Sequence, residues 1–148
     1  MKKIAIAADH GGFEMKESLK DYVSSKGFQV IDLGTNSLES VNYPTYGKAC
    51  AMAVAEGRAD LGIVICGSGI GISIAANRVK GIRCALCTSA EMGRLAAMHN
   101  NANMIALGGR LTTLEEAEKI IDAWLDTTFE GGRHINRINM LDDDSLGC

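Results

Sequence analysis

The residues Cys66-Gly67-Ser68-Gly69-Ile70-Gly71 follow directly on the apolar run Ile63-Val64-Ile65. An apolar run that breaks into alternating glycines around one hydroxyl, then resumes with helical spacing, reads as a buried parallel strand, a tight turn and a helix N-terminus. Residues this small leave backbone N–H groups uncovered, and uncovered N–H groups can cradle a phosphate or an oxyanion. Cys66 at the lip is a base or nucleophile wherever its surroundings favour the thiolate. A second polar cluster, Asp9-His10-Gly11-Gly12, follows the apolar run Ile4 to Ala8. Gly108-Gly109-Arg110 follows a third, and His99-Asn100 lies just ahead of that strand. Ligands of open α/β sheets bind beyond the carboxyl ends of the strands, so a thiol, a carboxylate, a histidine and an arginine are expected to meet above one sheet edge. Arg133 and Arg137 are four apart and share a face if their segment is helical. With Arg110 they would bind a phosphate dianion through charged hydrogen bonds. The chemistry implied is acid–base work on a small anionic substrate.

Each of these groups has a plainer use. Cys66 alone reads as a buried hydrophobe, and the glycines as the needs of a cramped turn. His10 could bond across a loop, His99 could cap a helix C-terminus, and His134 could simply be exposed. Arg133 and Arg137 could belong to a solvated tail. The turn at Cys66 has G-x-G-x-G, not G-x-G-x-x-G, and lacks the Walker lysine, so it is no nucleotide fingerprint. The chain has five cysteines, Cys50, Cys66, Cys84, Cys87 and Cys148. Cys84 and Cys87 form a C-x-x-C on a strand pattern, which points them to opposite faces. No second pair completes a zinc site, so they are expected to be core thiols.

The elements that must position these groups alternate. Strands are predicted at Lys3–Ala8, Phe28–Leu33, Leu61–Cys66, Ile82–Cys87 and Met104–Leu107, each an almost unbroken apolar run. Helices are predicted from the stripe Met15, Leu19, Tyr22 and Val23, over Ala49–Glu56, Ile72–Arg78 and Glu91–Met98 (capped at Ser89), and after the capping box Thr113 to Glu116. The last carries Ala117, Ile120, Ile121, Trp124 and Leu125 on one stripe. Gly34–Tyr46, with the single proline Pro44, reads as a surface loop. After Phe129 the sequence turns basic and glycine-rich, and Ile138 to Leu141 suits docking on a partner. Asp142-Asp143-Asp144 reads as a solvated terminus. The pattern is that of βαβ units around a parallel sheet.

A length of 148 residues fits one domain. With 47% hydrophobic residues but only 5% aromatic, aliphatic side chains and alanine must fill the interior. A formal charge of −3 argues against a nucleic-acid partner. No apolar run is long enough to cross a bilayer, and Met1-Lys2-Lys3 opens into a strand pattern rather than a signal peptide. A cytoplasmic protein with no membrane partner is expected.

Taken in order, Asp9-His10-Gly11-Gly12, the Cys66–Gly71 turn with Ser73-Ile74-Ala75-Ala76-Asn77, His99-Asn100 and Glu130-Gly131-Gly132-Arg133-His134 resemble the B-type ribose-5-phosphate isomerase family. The likeness also covers Asp32-Leu33-Gly34-Thr35 and Asp122-Ala123-Trp124-Leu125, so it spans nearly the whole chain. It implies a single three-layer α/β/α Rossmann-like domain over residues 1–148, with a five-stranded parallel sheet ordered 2-1-3-5-4. It implies a homodimer or a dimer of dimers, with residues 130–148 reaching a partner subunit's site. Neither metal nor organic cofactor is implied. The reaction implied is reversible conversion of ribose 5-phosphate to ribulose 5-phosphate through a cis-enediolate. Cys66 would move the C2 proton to C1, His99 would open the ring, and Asp9 would orient the sugar. Ser68 and the N–H groups of Gly67, Gly69, Ile70 and Gly71 would hold the enediolate. His10, Arg110, Arg133, His134 and Arg137 would hold phosphate, and Asn100 the substrate. Ser68 stands where many relatives carry threonine. Alternatives from the same resemblance are an isomerase of allose 6-phosphate or galactose 6-phosphate, and a non-catalytic sugar-phosphate binder.

Overall fold

The computed structural model describes residues 1–146; Cys148 lies outside them. Five strands and six helices alternate: β1 Lys3–Ala8, α1 Phe13–Ser25, β2 Gln29–Asp32, α2 Tyr43–Ala55, β3 Leu61–Cys66, α3 Ile70–Asn77, β4 Cys84–Leu86, α4 Ala90–Asn100, β5 Met104–Gly108, α5 Leu114–Leu125 and α6 Arg133–Met140. The strands form one parallel sheet in the order β2-β1-β3-β5-β4, the expected fold and strand order.

Side-chain size explains the two helical layers. On one face Ile4, Ile6, Ile63, Ile65, Ile105 and Leu107 pack against α1, α4 and α5 through Leu19, Val23, Ala96, Ile120, Ile121 and Trp124. On the other face Ala5, Ala7, Val64 and Ala106 let α2 and α3 approach through Cys50, Ala51, Ile72 and Ala76. The Trp124 indole donates to the Ala102 carbonyl at 2.9 Å, so its one polar atom is satisfied inside the core. Cys84 belongs to the second cluster and Cys87 to the first, so the C-x-x-C is split across the sheet as its strand pattern requires. Both are free and buried.

Ser89 accepts the Met92 N–H at 3.3 Å and Thr113 accepts that of Glu116 at 3.1 Å, capping α4 and α5 where the sequence signals stood. Some boundaries differ from expectation. The supposed loop Gly34–Tyr46 ends early because α2 begins at Tyr43 with Pro44 in its first turn, where a missing N–H costs no helical bond. The strands β2 and β4 are shorter than predicted, although Leu33 N–H to Ile6 O and Cys87 N–H to Ala106 O extend their ladders. The basic segment after Phe129 is helical, placing Arg133 and Arg137 one turn apart on α6.

A parallel βα repeat fixes direction: each helix starts at the carboxyl edge of the sheet and returns to the amino edge. The turns after β1, β3 and β5 therefore share the carboxyl edge. The C-terminus of α4 lies at the amino edge, where Arg83, just before β4, donates to the Asn100 and Asn101 carbonyls. The chain leading into α6 is there too, since the Glu130 N–H bonds the Met98 carbonyl at 2.9 Å.

Candidate active site

At the carboxyl edge three glycine turns meet backbone to backbone. A Cβ on Gly109 would sit 2.5 Å from the Gly11 carbonyl oxygen, and one on Gly11 would sit 3.0 Å from the Gly67 nitrogen. The Gly109 N–H donates to the Cys66 carbonyl at 2.8 Å and the Arg110 N–H to that of Gly67 at 3.0 Å, locking the β5 turn onto the β3 turn. This seam lays the Arg110 guanidinium over Gly11 and Gly67: added Cβ atoms would meet it at 3.3 Å from either glycine.

Cys66 is 5% exposed at the end of β3, and its sulfur accepts the Gly69 N–H at 3.2 Å. Gly69 caps α3 with φ +81°, a left-handed conformation that turns its amide back toward the strand at little cost for glycine. The other thiols differ. Cys50 donates to the Ala5 and Ile63 carbonyls and Cys87 to that of Ala85. Burial pushes Cys50 up to about 12, Cys87 up to about 11, and Cys84 upward as well, so these stay protonated at neutral pH. The hydrogen bond at Cys66 runs the other way, from the Gly69 N–H onto its sulfur. Ser68 Oγ accepts the Ile70 N–H at 3.1 Å in the same turn. The Tyr43 ring covers Gly71 in the first turn of α3; a Cβ there would meet it at 2.8 Å.

Asp9 is 7% exposed and accepts the Gly11 N–H at 2.8 Å, which fixes its carboxylate beside the seam. His10 Nδ1 accepts the Val41 N–H at 3.2 Å, leaving Nε2–H as its donor for a ligand. His10, Gly11, Gly109 and Arg110 line a cavity of about 250 Å³ with Glu14, Met15 and Leu38. One imidazole donor and one guanidinium over glycine backbone can hold a phosphate or carboxylate.

The remaining predicted groups are elsewhere. His99 and Asn100 are the last residues of α4 and lie at the amino edge, with Arg133, His134 and Arg137 of α6. Since β5 alone spans about 13 Å at 3.3 Å per residue, one chain does not bring His99 to Cys66. The expected meeting of a thiol, a carboxylate, a histidine and an arginine above one edge is thus met by His10 and not by His99: in a single chain the candidate groups form two clusters. The cause is helix direction, which carries a residue at the end of α4 away from the edge where the helix began.

In the amino-edge cluster the His99 and His134 rings stack with centroids 4.5 Å apart and planes at 19°. His99, Asn100, His134 and Arg137 line a cavity of about 290 Å³ with Ile138 and Leu141. Burial, then the Arg133 charge, holds the His134 imidazole below its usual range, so it is neutral at pH 7. Glu130, whose Oε2 is 3.7 Å from His99 Nε2, was missed as a site neighbour, although it opens the Glu130–His134 run. A roomier groove of about 400 Å³ beside β4 is lined by Cys84, a thiol too desolvated to act as a base.

Sequence reasoning also passed over Lys16, the only fully buried cation among the described residues. Its ammonium bonds both Asp32 oxygens, at 2.8 and 2.9 Å. Asp32 Oδ1 accepts the Gly34 N–H at 2.9 Å. Gly34 and Thr35 then pair with Ala8 through two 2.7 Å backbone bonds. The buried charge pair thereby braces the chain beside Asp9. Its signal was Lys16 on the apolar side of α1, next to Met15 and Leu19.

No helix among the described residues is long and apolar enough to cross a membrane. The chain matches the family model described as Ribose/Galactose Isomerase over residues 4–141. It is 46% identical over 141 residues to ribose-5-phosphate isomerase B of Escherichia coli, covering 95% of each chain. It is equally 46% identical over 127 residues to galactose-6-phosphate isomerase subunit LacB of Clostridium acetobutylicum, covering 86% of this chain and 73% of that one. The ribose-5-phosphate isomerase B structure from Mycoplasma genitalium with bound ribulose 5-phosphate superposes with a TM-score of 0.91 at 41% identity, covering 94% of this chain and 93% of that one. With a matching fold, near-complete coverage and the glycine-turn cluster in place, this chain belongs to the ribose/galactose isomerase family.

Proposed function

We propose that this protein interconverts ribose 5-phosphate and ribulose 5-phosphate, with Cys66 as the proton-transfer base. The observation that carries the reading is the Gly69 N–H on the Cys66 sulfur, beside Asp9 and beneath Arg110. The Cys66 thiolate takes the proton from C2, the released electron pair forms the C1–C2 double bond, and the π pair of the C1 carbonyl moves onto O1 to give the enediolate. The O2 proton passes to O1, the thiol returns its proton to C1, and O2 becomes the ketose carbonyl. Hydrogen moves from C2 to C1 with no external oxidant. Ser68 and the amides from Gly67 through Gly71 stabilise the enediolate charge. Asp9 orients the sugar hydroxyls, and His10 and Arg110 hold phosphate at the near end.

His99, Asn100, Arg133, His134 and Arg137 serve the site of a second copy. Two features support this reading. These residues lie an entire sheet length from Cys66, and apolar surface is exposed on both α3 (Ile70 and Ile74, each 52%) and α6 (Ile135 47%, Met140 53%). A homodimer, or a dimer of dimers, thereby joins a base-bearing edge to a partner's ring-opening His99 and phosphate anchors. Residues 130–146 are the described part of the segment that reaches across; Gly147 and Cys148 lie outside the described residues. The catalysis uses side chains and amides, with no metal, and a phosphorylated substrate, which does not cross membranes unaided, places the enzyme in the cytoplasm.

The test is turnover by chelator-treated, assembled protein on ribose 5-phosphate, allose 6-phosphate and galactose 6-phosphate in parallel. Ribose 5-phosphate should be converted most efficiently. Absence of turnover on all three by folded protein overturns the enzymatic reading, and preference for a six-carbon substrate overturns the sugar assignment.

A further inference from the structure

The amino-edge cluster holds three side chains of the kind that ligate transition metals. One donor atom from each of His99, Glu130 and His134 lies within 4.8 Å of the other two. His134 is 6% exposed, and its Nε2 is buried without a hydrogen-bond partner. A buried ring nitrogen left in this way has an unmet demand that a neighbouring ion can satisfy. Two imidazoles and a carboxylate are the donor set of many open zinc sites. Ligands about 2.1 Å from a tetrahedral ion stand about 3.4 Å apart, so donors within 4.8 Å of one another have to close by at most about 1.4 Å, and His99 Nε2 already stands 3.7 Å from Glu130 Oε2. His99 and Glu130, with side chains 35% and 45% exposed, have room to turn while His134 stays fixed. Glu130 must loosen a 3.5 Å contact with Arg133, a surface pair that holds it only weakly. The Arg133 and Arg137 charges oppose a cation here, which favours reversible occupancy over a resident ion.

We infer that His99, Glu130 and His134 form an inhibitory site for a divalent transition metal, with Zn²⁺ the best-matched ion. Occupancy takes the lone pair of His99 and the free nitrogen of His134 away from the substrate. The binding stands on the cluster itself; the inhibition rests on the role proposed above for His99. Mg²⁺, which prefers six oxygen ligands, is excluded by two imidazoles and a single carboxylate.

Chelator-stripped, assembled protein is titrated with Zn²⁺ by calorimetry and with Co²⁺ by visible absorption. Isomerase rates are then measured against Zn²⁺, each variant referred to its own metal-free rate. One ion per chain is expected, with inhibition by Zn²⁺ that chelator reverses and that Mg²⁺ does not reproduce. Glu130→Gln and His134→Gln should each weaken Zn²⁺ binding by about tenfold or more, since even outer-shell changes cost that much at metal sites. Glu130→Gln changes a half-exposed side chain and keeps the test independent of folding at His134. Binding unaltered in both variants overturns the site. Binding lost in Cys66→Ala but kept in both variants places the ion on the thiol and overturns it equally. Binding as expected without inhibition upholds the metal site and overturns the role given to His99.

Discussion

If Cys66 and Arg137 serve one site only from different chains, two dead variants should make a live enzyme. Cys66→Ala removes the proposed base, a loss of about 10²-fold or more. Arg137→Ala removes a charged phosphate contact worth about 1.5–3 kcal/mol, or roughly 10- to 100-fold in kcat/KM at low substrate. After equal mixing and subunit exchange, about half of the two-fold-symmetric dimers contain one chain of each kind. Each mixed dimer has one site with both groups and one with neither, so about a quarter of all sites are intact. Activity should climb from about 1% or less in Cys66→Ala and at most about a tenth in Arg137→Ala to about a quarter of wild type. A reciprocal mixture of wild type with the double variant fixes the interpretation. Its mixed dimers contain no intact site, so activity should fall to about a quarter rather than the one half of a site contained in each chain. The assay is the initial rate of ketose formation, with exchange verified by differently tagged chains. Mixed dimers that form without regain in the first mixture, together with half activity in the second, would refute the shared site.

Cys66→Ala should fold normally and retain much of its phosphate affinity while losing about 10²-fold in turnover; near-normal deuterium exchange at substrate C2 would point to another base. Gly69→Ala should destabilise the protein by about 1–3 kcal/mol. Its φ is +81° and its new Cβ would stand 2.8 Å from Leu86 Cδ1 and 2.9 Å from the Leu107 carbonyl carbon, so an unchanged Tm in thermal unfolding would sink this account of the turn. Burial alone would raise the Asp32 carboxyl, but Lys16, Lys20 and the Gly34 N–H outweigh it and hold it below its ordinary 3.8. A folded-state value below the unfolded one contributes stability above about pH 4, lost as pH falls through the folded value. Unfolding free energies measured from pH 6 to 2 should therefore fall less steeply in Asp32→Asn, and parallel curves would show that the Lys16 pair does not do this.

Much of the fold was legible because two periodicities agreed. Ile4, Ile6, Ile63 and Ile65 are apolar on one face while Ala5, Ala7 and Val64 are apolar on the other, which only a strand covered on both sides tolerates. Ser89 and Thr113 marked helix starts because each hydroxyl supplies an acceptor the first turn lacks. Pro44 misled, since the residue that breaks a helix interior also suits its first turn. The placement of Cys66, Asp9 and Arg110 was readable from strand ends. That of His99 was not read correctly, because nearness in sequence to β5 says nothing of which end of β5 is meant. Lys16 escaped notice because a lysine signals water in a sequence, and its burial is explained by the Asp32 carboxylate 16 residues on together with Glu17 beside it.

The backbone seam at Gly11, Gly67 and Gly109 has a consequence for how relatives with other sugars can arise. A single added carbon at Gly109 collides with a carbonyl 2.5 Å away, and carbonyls cannot be pushed aside by rotating a side chain. The floor of the pocket is therefore closed to gradual mutation, whatever substrate selection favours. Change has to enter at the rim, where Leu38 lines the cavity and is 60% exposed and replacement disturbs no strand. A lineage moving from five-carbon to six-carbon sugars would keep its glycines and rewrite those walls, so the variable positions of such a family should ring a frozen centre.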